Sequence, residues 1–284
     1  MIAVTGANGQ LGRLVIDALL KRVAASQIVA LVRTPEQADE LVQLGVELRY
    51  ADYDKPETLN SALEGVSKLL LISGNMIGER VRQHTAVITA AQRAGVTLLA
   101  YTSILHADTS PLLLSEEHQV TEQLIIQSGL PYVLLRNGWY NENYSGGIAG
   151  SLAVGAITGA MHEGRIASAA RADYAEAAAV VLTDPGHVGK TYELAGDESF
   201  SLQTLAEQAA ELSGKTLLTN YVSEQQYAEF LAQVGVPARF AALLADAEIQ
   251  ANSGWLNDQS GTLSTLIGRP TTPMRDSLTQ HLTA

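Results

Sequence analysis

The chain of 284 residues is 46% hydrophobic and 17% charged, a composition typical of a globular protein with a sizeable apolar core. Its formal net charge of −12 argues against nucleic acid as a partner, because affinity for a phosphate backbone comes largely from Lys and Arg. The absence of cysteine excludes disulfides and thiolate metal sites.

The sequence shows no membrane or metal signal. No apolar run approaches the roughly 18 residues that a membrane span needs, and the N-terminus enters a strand pattern without the basic start of a signal peptide. We therefore expect a soluble cytoplasmic protein without a membrane partner, and a homodimer is left open. The six histidines show no compact ligand spacing, so we expect no metal.

The first half of the chain alternates apolar strand patterns with amphipathic helix patterns. Strands are predicted at residues 1–5, 27–32, 46–50, 68–73, 97–102 and 132–135. Helices are predicted between them at residues 10–21, 36–44, 79–94 and 115–128. Six strands with crossover helices predict an α/β fold with a Rossmann-type doubly wound parallel sheet.

The pattern changes after residue 136, where glycines interrupt a stretch of weak periodicity that we interpret as a loop-rich wall of a site. Further on, the sequence predicts a strand at residues 190–195 and helices at residues 171–182, 202–212, 224–234 and 237–252. We assign residues 1–136 to the Rossmann domain and residues 137–284 to a smaller substrate-side α/β domain. The chain is expected to recross, including at about residues 165–185.

Three glycines follow the first predicted strand and open the first predicted helix. Gly6 allows the tight turn, Gly9 lets the backbone approach a pyrophosphate, and Gly12 permits close packing of helix against strand. The N–H groups and the positive dipole end of that helix then face phosphate. The segment 6–12 (GANGQLG) therefore predicts dinucleotide binding.

Three further positions follow predicted strands at their carboxyl ends, where cofactors of open α/β sheets bind. Arg33 stands where an acidic residue would bind the ribose of NAD, so it favours the 2′-phosphate of NADP(H), although a solvated surface arginine is the alternative. Asp52 either accepts from the adenine amino group or caps the helix that starts near Pro56. Residues 73–75 (SGN) should pass the ribose and pyrophosphate, with Gly74 as the backbone contact.

Five segments resemble the NmrA-like, atypical short-chain dehydrogenase/reductase group, and most closely its bacterial NADPH-dependent quinone reductases. They are residues 3–12 (AVTGANGQLG), 100–103 (AYTS), 135–140 (LRNGWY), 169–174 (AARADY) and 266–272 (LIGRPTT). The resemblance extends over nearly the whole chain.

The resemblance implies NADPH as cofactor. The contacts it implies, together with those expected from the residues, are Gly6, Asn8, Gly9, Gln10, Leu11, Gly12, Arg33, Asp52, Ser73, Gly74, Asn75, Asn137, Gly138, Trp139, Tyr140, Asn143 and Arg171. The segment 137–143 is expected beside the nicotinamide, because it leaves the sixth strand at its carboxyl end. For Trp139 and Tyr140 the alternative is ordinary packing between domains, and for Arg171 it is a solvated surface position.

The chain departs from the wider superfamily at the catalytic residues. Dehydrogenases there use a Tyr-x-x-x-Lys pair, in which the lysine lowers the pKa of the tyrosine. Here Ser103 stands where a substrate-polarising serine is expected, but His118 and Glu122 stand at the spacing of Tyr and Lys. Alcohol oxidation by the usual mechanism is therefore disfavoured.

Quinone reduction suits this loss, because the hydroquinone anion that forms is a far weaker base than an alkoxide. We expect an NADPH:quinone oxidoreductase that transfers hydride without flavin to a quinone or similar small aromatic acceptor. The catalytic candidates are His118, Tyr140 and Ser103, although a histidine on a helix face, as at His118, is more often a packing or surface residue. Two alternatives stay open, a non-enzymatic NADP(H)-binding redox sensor and a reductase of another conjugated acceptor such as a cationic dye.

Overall fold

Nine strands form two sheets in the computed structural model, which describes residues 1–283. In chain order they are β1 (Ile2–Val4), β2 (Ile28–Val32), β3 (Glu47–Tyr50), β4 (Lys68–Leu71), β5 (Leu98–Ile104), β6 (Tyr132–Asn137), β7 (Ala156–Gly159), β8 (Lys190–Leu194) and β9 (Leu218–Tyr221). The larger sheet has the order β3-β2-β1-β4-β5-β6-β8, and β7 pairs with β9 in the smaller one.

Thirteen α-helices connect or follow these strands within the described residues. They are α1 (Gln10–Leu20), α2 (Asp39–Gln43), α3 (Pro56–Ala62), α4 (Arg80–Ala94), α5 (Ser115–Gln127), α6 (Glu142–Ser145), α7 (Ile148–Val154), α8 (Arg171–Thr183), α9 (Leu202–Ser213), α10 (Glu224–Gln233), α11 (Ala238–Ala251), α12 (Thr262–Ile267) and α13 (Met274–Thr283). Within residues 1–283, none of these helices has both the length and the apolar character that crossing a membrane requires.

The larger sheet confirms the predicted doubly wound α/β fold. Strand β1 lies at its centre and pairs in parallel with β2, where Ile2 faces Ile28, and with β4, where Ile2 faces Lys68. The chain winds outward from β1 in one direction through β2 and β3 and in the other through β4, β5 and β6, so the strand order reverses between β1 and β4. Ligands of such sheets bind outside the carboxyl ends of the strands at this switch point.

Both faces of the central strands are covered, which explains their continuous apolar sequences. Every residue of β1, β2 and β5 is buried. One core cluster packs Leu69 and Leu71 of β4 against Val87 of α4 and Leu59 of α3. Helix α1 covers the sheet with an apolar stripe of buried residues that includes Val15 and Leu19.

Contacts divide the chain into two compact units. The first comprises Met1–Ala107, Glu117–Arg136 and Tyr174–Tyr192, and the second comprises Asp108–Glu116, Asn137–Asp173 and the chain from Glu193 onwards. One change of unit thus falls at residues 136/137, where we placed the domain boundary. Tyr174–Tyr192 returns to the first unit and overlaps the recrossing expected at about residues 165–185, and Asp108–Glu116 leaves that unit.

Three expectations from the sequence were wrong in detail. The strand expected at residues 190–195, in the half of the chain that we assigned to the substrate-side domain, belongs to the larger sheet, where β8 lies at the edge beside β6. The stretch after residue 136 is not simply loop-rich, because it contains α6, α7 and β7. The helix expected at residues 36–44 is split into a 3-10 turn at Pro35–Gln37 and the short α2.

The second unit has its own core around the paired helices α10 and α11. Tyr227 and Leu231 of α10 pack against Ala241 and Ala245 of α11 and against Ala160, which follows β7. Glu248 of α11 is 2% exposed and accepts hydrogen bonds from the backbone N–H groups of Ala160 (2.6 Å) and Met161 (3.2 Å). A buried carboxylate therefore ties α11 to the end of the smaller sheet.

Candidate functional site

A pocket of roughly 370 Å³ opens in the first unit at the carboxyl ends of β1 to β4. It brings together every cofactor-binding residue that the sequence predicted in that unit. These are Gly6, Asn8, Gly9, Gln10, Leu11, Gly12, Arg33, Asp52, Ser73, Gly74 and Asn75. The pocket lies at the switch point of the sheet, where the fold itself predicts a ligand.

The glycine turn has the geometry that its three glycines require. Gly6 has φ +57°, in the left-handed region that favours glycine. A Cβ atom on Gly12 would come within 2.7 Å of the Cα of Ala7, so only glycine lets α1 pack this closely against the turn. Gly9 is the N-cap of α1, and no side chain caps the helix.

The N-terminus of α1 therefore has the properties of an anion site. The first N–H groups of a helix have no partner within the helix, and its dipole makes this end positive. The first turn carries no acidic residue that would oppose a bound phosphate. Because Gln10 and Leu11 of this turn line the pocket, their backbone N–H groups suit a pyrophosphate.

Asn8 is held in place beside this turn by contacts that the sequence did not reveal. Its Oδ1 accepts from Nη2 of Arg13 at 2.7 Å, and its Nδ2 donates to the carbonyl oxygen of Gln37 at 2.9 Å. Arg13 is in turn paired with Glu40. Hydrogen bonds to both the oxygen and the nitrogen of its amide thus hold the side chain of Asn8 at the rim of the pocket.

Arg33 and Asp52 line the pocket at the ends of β2 and β3. Arg33 is exposed, so its guanidinium is accessible to a ligand phosphate. The helix-capping alternative for Asp52 is wrong, because Lys55 is the N-cap of α3 and no side chain caps that helix. Instead, Oδ1 of Asp52 accepts from the N–H of Asp54 at 3.0 Å.

Eleven further residues of the pocket were not identified from the sequence. Gln37, Tyr53, Asp54 and Gln83 are among them. Tyr53 and Asp54 follow β3 directly, so their position at a strand end was a usable signal. The pKa of Asp54 lies below its ordinary value, chiefly through hydrogen bonds from Gln83 and Arg82, and the charge of Arg33 adds to this effect.

The catalytic candidate Ser103 is engaged by protein groups. Its Oγ donates to Oε1 of Glu122 at 2.5 Å, and Glu122 also accepts from Nε (3.0 Å) and Nη2 (2.7 Å) of Arg136. Glu122 is 3% exposed and Arg136 7% exposed. The hydroxyl proton of Ser103 is therefore engaged by a buried ion pair. This arrangement indicates a structural role for Ser103 rather than the polarisation of a substrate.

His118 is 5% exposed, and both of its ring nitrogens have protein partners. Nδ1 lies 2.7 Å from the hydroxyl of Tyr101, and Nε2 lies 3.4 Å from Nη1 of Arg80. Burial, followed by the charge of Arg80 and the neighbouring His84, holds the pKa of His118 well below its usual range. The structure therefore disfavours His118 as the proton donor that we considered.

The remaining predicted residues lie in the second unit, in the segment that follows β6 and at the start of α8. The guanidinium of Arg171 lies 4.7 Å from the ring centroid of Tyr140, a cation–π contact, so Arg171 is not simply a solvated surface group. The backbone N–H of Arg171 donates to Glu142 at 3.0 Å. Burial raises the pKa of Tyr140, and a hydrogen bond from Asn137 and the charge of Arg171 oppose this shift.

Asn137 carries a buried acceptor that lacks a partner. It is 5% exposed, and its Oδ1 makes no hydrogen bond within the described part of the chain. A buried polar atom without a partner is costly. Asn137 does not line the pocket of the first unit.

Three other predicted residues of this segment have different surroundings. Gly138 donates its N–H to the carbonyl oxygen of Leu194 at 2.7 Å, and Trp139 is 8% exposed. Asn143 is exposed on α6. The sequence did not single out Asn141, which is fully buried and donates to the carbonyl oxygen of Thr272 and to Oγ of Ser277, both at 3.0 Å.

The residues of the first unit fit the phosphates of a dinucleotide. The uncapped helix end and the glycine turn suit a pyrophosphate, and Arg33 suits a 2′-phosphate. These residues would hold NADP(H) by charge and backbone contacts.

Comparison with known proteins supports this interpretation. Residues 6–185 match the NAD(P)H-binding family. Over 282 residues the chain is 52% identical to Quinone oxidoreductase 2 of Escherichia coli (strain K12), and the alignment covers 99% of this chain and 98% of that protein. The structure of an NADPH-dependent quinone oxidoreductase from Escherichia coli, complexed with NADPH, has a TM-score of 0.97 at 51% identity and covers 100% of both chains.

A dye reductase shares the same fold over its whole length. The triphenylmethane reductase of Citrobacter sp., complexed with NADP(H), has a TM-score of 0.94 at 41% identity, covering 99% of this chain and 100% of that one. The resemblance inferred from the sequence motifs is thus confirmed. The chain belongs to the NAD(P)H-binding family, and it is a close homologue of NADPH-dependent quinone oxidoreductase.

Proposed function

We propose that the protein is an NADPH-dependent quinone reductase, in which one quinone, one NADPH and one proton give a hydroquinone and NADP⁺. The observation that carries the proposal is the 52% identity to Quinone oxidoreductase 2, which extends over both compact units. Bound NADPH supplies the hydride for this reaction, and no flavin is required. The protein supplies binding, orientation and a source of the proton.

The pocket of the first unit would hold the phosphates and the adenosine. The N–H groups of the first turn of α1 bind the pyrophosphate, and Arg33 forms charge-assisted hydrogen bonds to the 2′-phosphate. Asp52, with its burial and its place at the end of β3, would accept from the adenine amino group. Ser73, Gly74 and Asn75 pass the ribose.

The segment 137–143 and Arg171 would hold the nicotinamide and the acceptor. Asn137 accepts from the carboxamide, and the Arg171 guanidinium stabilises negative charge that develops on the quinone oxygens. The hydroxyl of Tyr140 is protonated at neutral pH, as a phenol ordinarily is, and burial raises its pKa further, against the charge of Arg171 and a hydrogen bond from Asn137. Tyr140 is our proposed donor to the hydroquinone anion. The tyrosinate that this leaves is stabilised by Arg171 and takes its proton back from water.

A conjugated dye is a second candidate acceptor. The 41% identity to triphenylmethane reductase favours it specifically, and a net charge of −12 would attract a cationic dye. A flat cation and a flat quinone place the same demand on the enzyme, an apolar wall beside the nicotinamide. The cytoplasmic location expected from the sequence is part of this proposal.

The experiment mixes purified protein with NADPH and a simple quinone and follows the absorbance of the reduced nicotinamide. Wild-type protein should consume NADPH in a quinone-dependent way, with NADH much poorer. Arg33→Ala should raise the KM for NADPH roughly 10- to 150-fold, the loss expected for charge-assisted hydrogen bonds worth about 1.5–3 kcal/mol, with little change for NADH.

Arg93→Ala is the matched control. Arg93 is an exposed arginine in the last turn of α4, at the opposite end of the sheet from the strand ends that form the pocket, so it should leave both KM values unchanged. Tyr140→Phe should lower kcat more than it changes the KM for NADPH. Tight NADPH binding without turnover of quinones or dyes would refute the enzyme and leave a redox sensor.

A further inference from the structure

A buried polar network holds the backbone of Gly74, which lines the pocket. The N–H of Gly74 donates to Nε2 of His84 at 3.0 Å, and its carbonyl oxygen accepts from Nε of Arg80 at 2.6 Å. We propose that Arg80 and His84 are positioning residues, which fix the Gly74 backbone in the conformation that binds the dinucleotide. The proposal deepens the proposed function and rests on the same pocket.

The hydrogen bonds around His84 determine its tautomer. Thr121 Oγ1 donates its only proton to the carbonyl oxygen of Glu117 at 2.8 Å, so it must accept from Nδ1 of His84, which lies 2.9 Å away. The proton of His84 is therefore on Nδ1. Its Nε2 then carries the lone pair that the Gly74 N–H requires.

The same reasoning determines the tautomer of His118, whose ring contacts Arg80. A guanidinium can only donate, so Nη1 of Arg80 donates to Nε2 of His118, and Nδ1 of His118 must donate to the hydroxyl of Tyr101. Each residue of this hydrogen-bonded network has one protonation state that satisfies its neighbours. Both histidines are neutral in it, and Arg80 carries the only charge among these ring and guanidinium groups.

Burial makes the network rigid. His84 is 0% exposed and Arg80 8% exposed, and both lie on α4 one helical turn apart, so their side chains reach the same residue. A Cβ atom on Gly74 would lie 3.0 Å from Oε1 of Gln83 and 3.7 Å from Nε2 of His84. The segment after β4 is thus packed closely against Gln83 and His84 of α4. A side chain at position 74 would displace these two residues.

The test compares His84→Leu, His84→Gln and Arg80→Met with the control Arg93→Met, an exposed arginine on the same helix. NADPH affinity is measured by fluorescence of the bound nucleotide, without turnover. Loss of one backbone contact in His84→Leu or Arg80→Met should raise the Kd about three- to tenfold, while the KM for quinone stays within about twofold. In His84→Gln, the amide oxygen can accept from the Gly74 N–H and should restore most of the affinity.

The outcomes separate this proposal from the proposed function. If wild-type protein binds NADPH and folded His84→Leu binds it equally well, the positioning role is wrong. Equal losses in His84→Leu and His84→Gln would also overturn it, because an acceptor would then be irrelevant. If His84→Leu does not fold, Arg80→Met against Arg93→Met decides by the same criterion. Failure of wild-type protein to bind NADPH would instead refute the proposed function.

Discussion

The stability of the protein should depend on pH through His84, with a magnitude that follows from its surroundings. Burial, followed by the positive charge of Arg80, lowers the pKa of His84 to about 3 in the folded protein. In the unfolded chain its pKa returns to about 6.5. Between these values the unfolded chain binds a proton that the folded protein does not, so folding becomes less favourable as the pH falls.

The contribution of His84 is complete above pH 6.5 and is lost progressively towards pH 3. From pH 7 to pH 5 the unfolded histidine becomes almost fully protonated while the folded one stays neutral, which lowers the free energy of unfolding by about 2 kcal/mol. Urea denaturation of the protein without cofactor at both pH values measures this loss. His84→Gln has no titrating group at this position, so its loss should be smaller by that amount.

The comparison of the two proteins isolates His84, because their carboxylates and other histidines titrate together. Equal losses of unfolding free energy in wild-type protein and His84→Gln between pH 7 and pH 5 would refute the reasoning. Such a result would mean that a proton enters the folded network and that the Gly74 N–H has lost its acceptor.

Two further substitutions test the glycine turn and the buried ion pair. Gly12→Ala places a Cβ atom 2.7 Å from the Cα of Ala7 and should cost about 1–3 kcal/mol in urea denaturation and abolish most NADPH binding. Gly9→Ala, whose Cβ would lie 3.2 Å from a backbone oxygen, should impair binding with a smaller loss of stability; the reverse order would contradict the packing role. Glu122→Gln removes the negative charge that pairs with the buried guanidinium of Arg136 and should lower the free energy of unfolding by roughly 3 kcal/mol, whereas an unchanged value would contradict a need for this charge.

The sequence predicted the parts of the fold that depend on local patterns. Strands β1 to β6 alternate along the chain with helices, and the central strands have continuous apolar sequences. This order of elements indicated the doubly wound sheet. Strands β7 and β9 were missed because neither has an apolar run, and three residues of β9 are exposed. Their pairing depends on residues about 60 positions apart.

The residues of the cofactor pocket that were predicted are those that a motif or a strand end marks. Gly6, Gly9 and Gly12 share a fixed spacing, and Arg33 and Asp52 each follow a strand. Arg80 and His84 had no such signal. His84 contacts a residue 37 positions away, and nothing in the sequence of α4 distinguishes a buried polar pair from a solvated one.

The buried network also occupies the two positions at which the wider superfamily carries its catalytic Tyr and Lys. His118 and Glu122 stand at the spacing of the usual Tyr and Lys, but His118 is bonded to Tyr101 and Arg80, and Glu122 to Ser103 and Arg136. A proton relay needs groups that change protonation near neutral pH, whereas these groups are buried and mutually satisfied. An enzyme with this arrangement is limited to acceptors whose reduced form is a weak base. A quinone meets that condition and an ordinary ketone does not, so the buried network itself argues for the proposed substrate class.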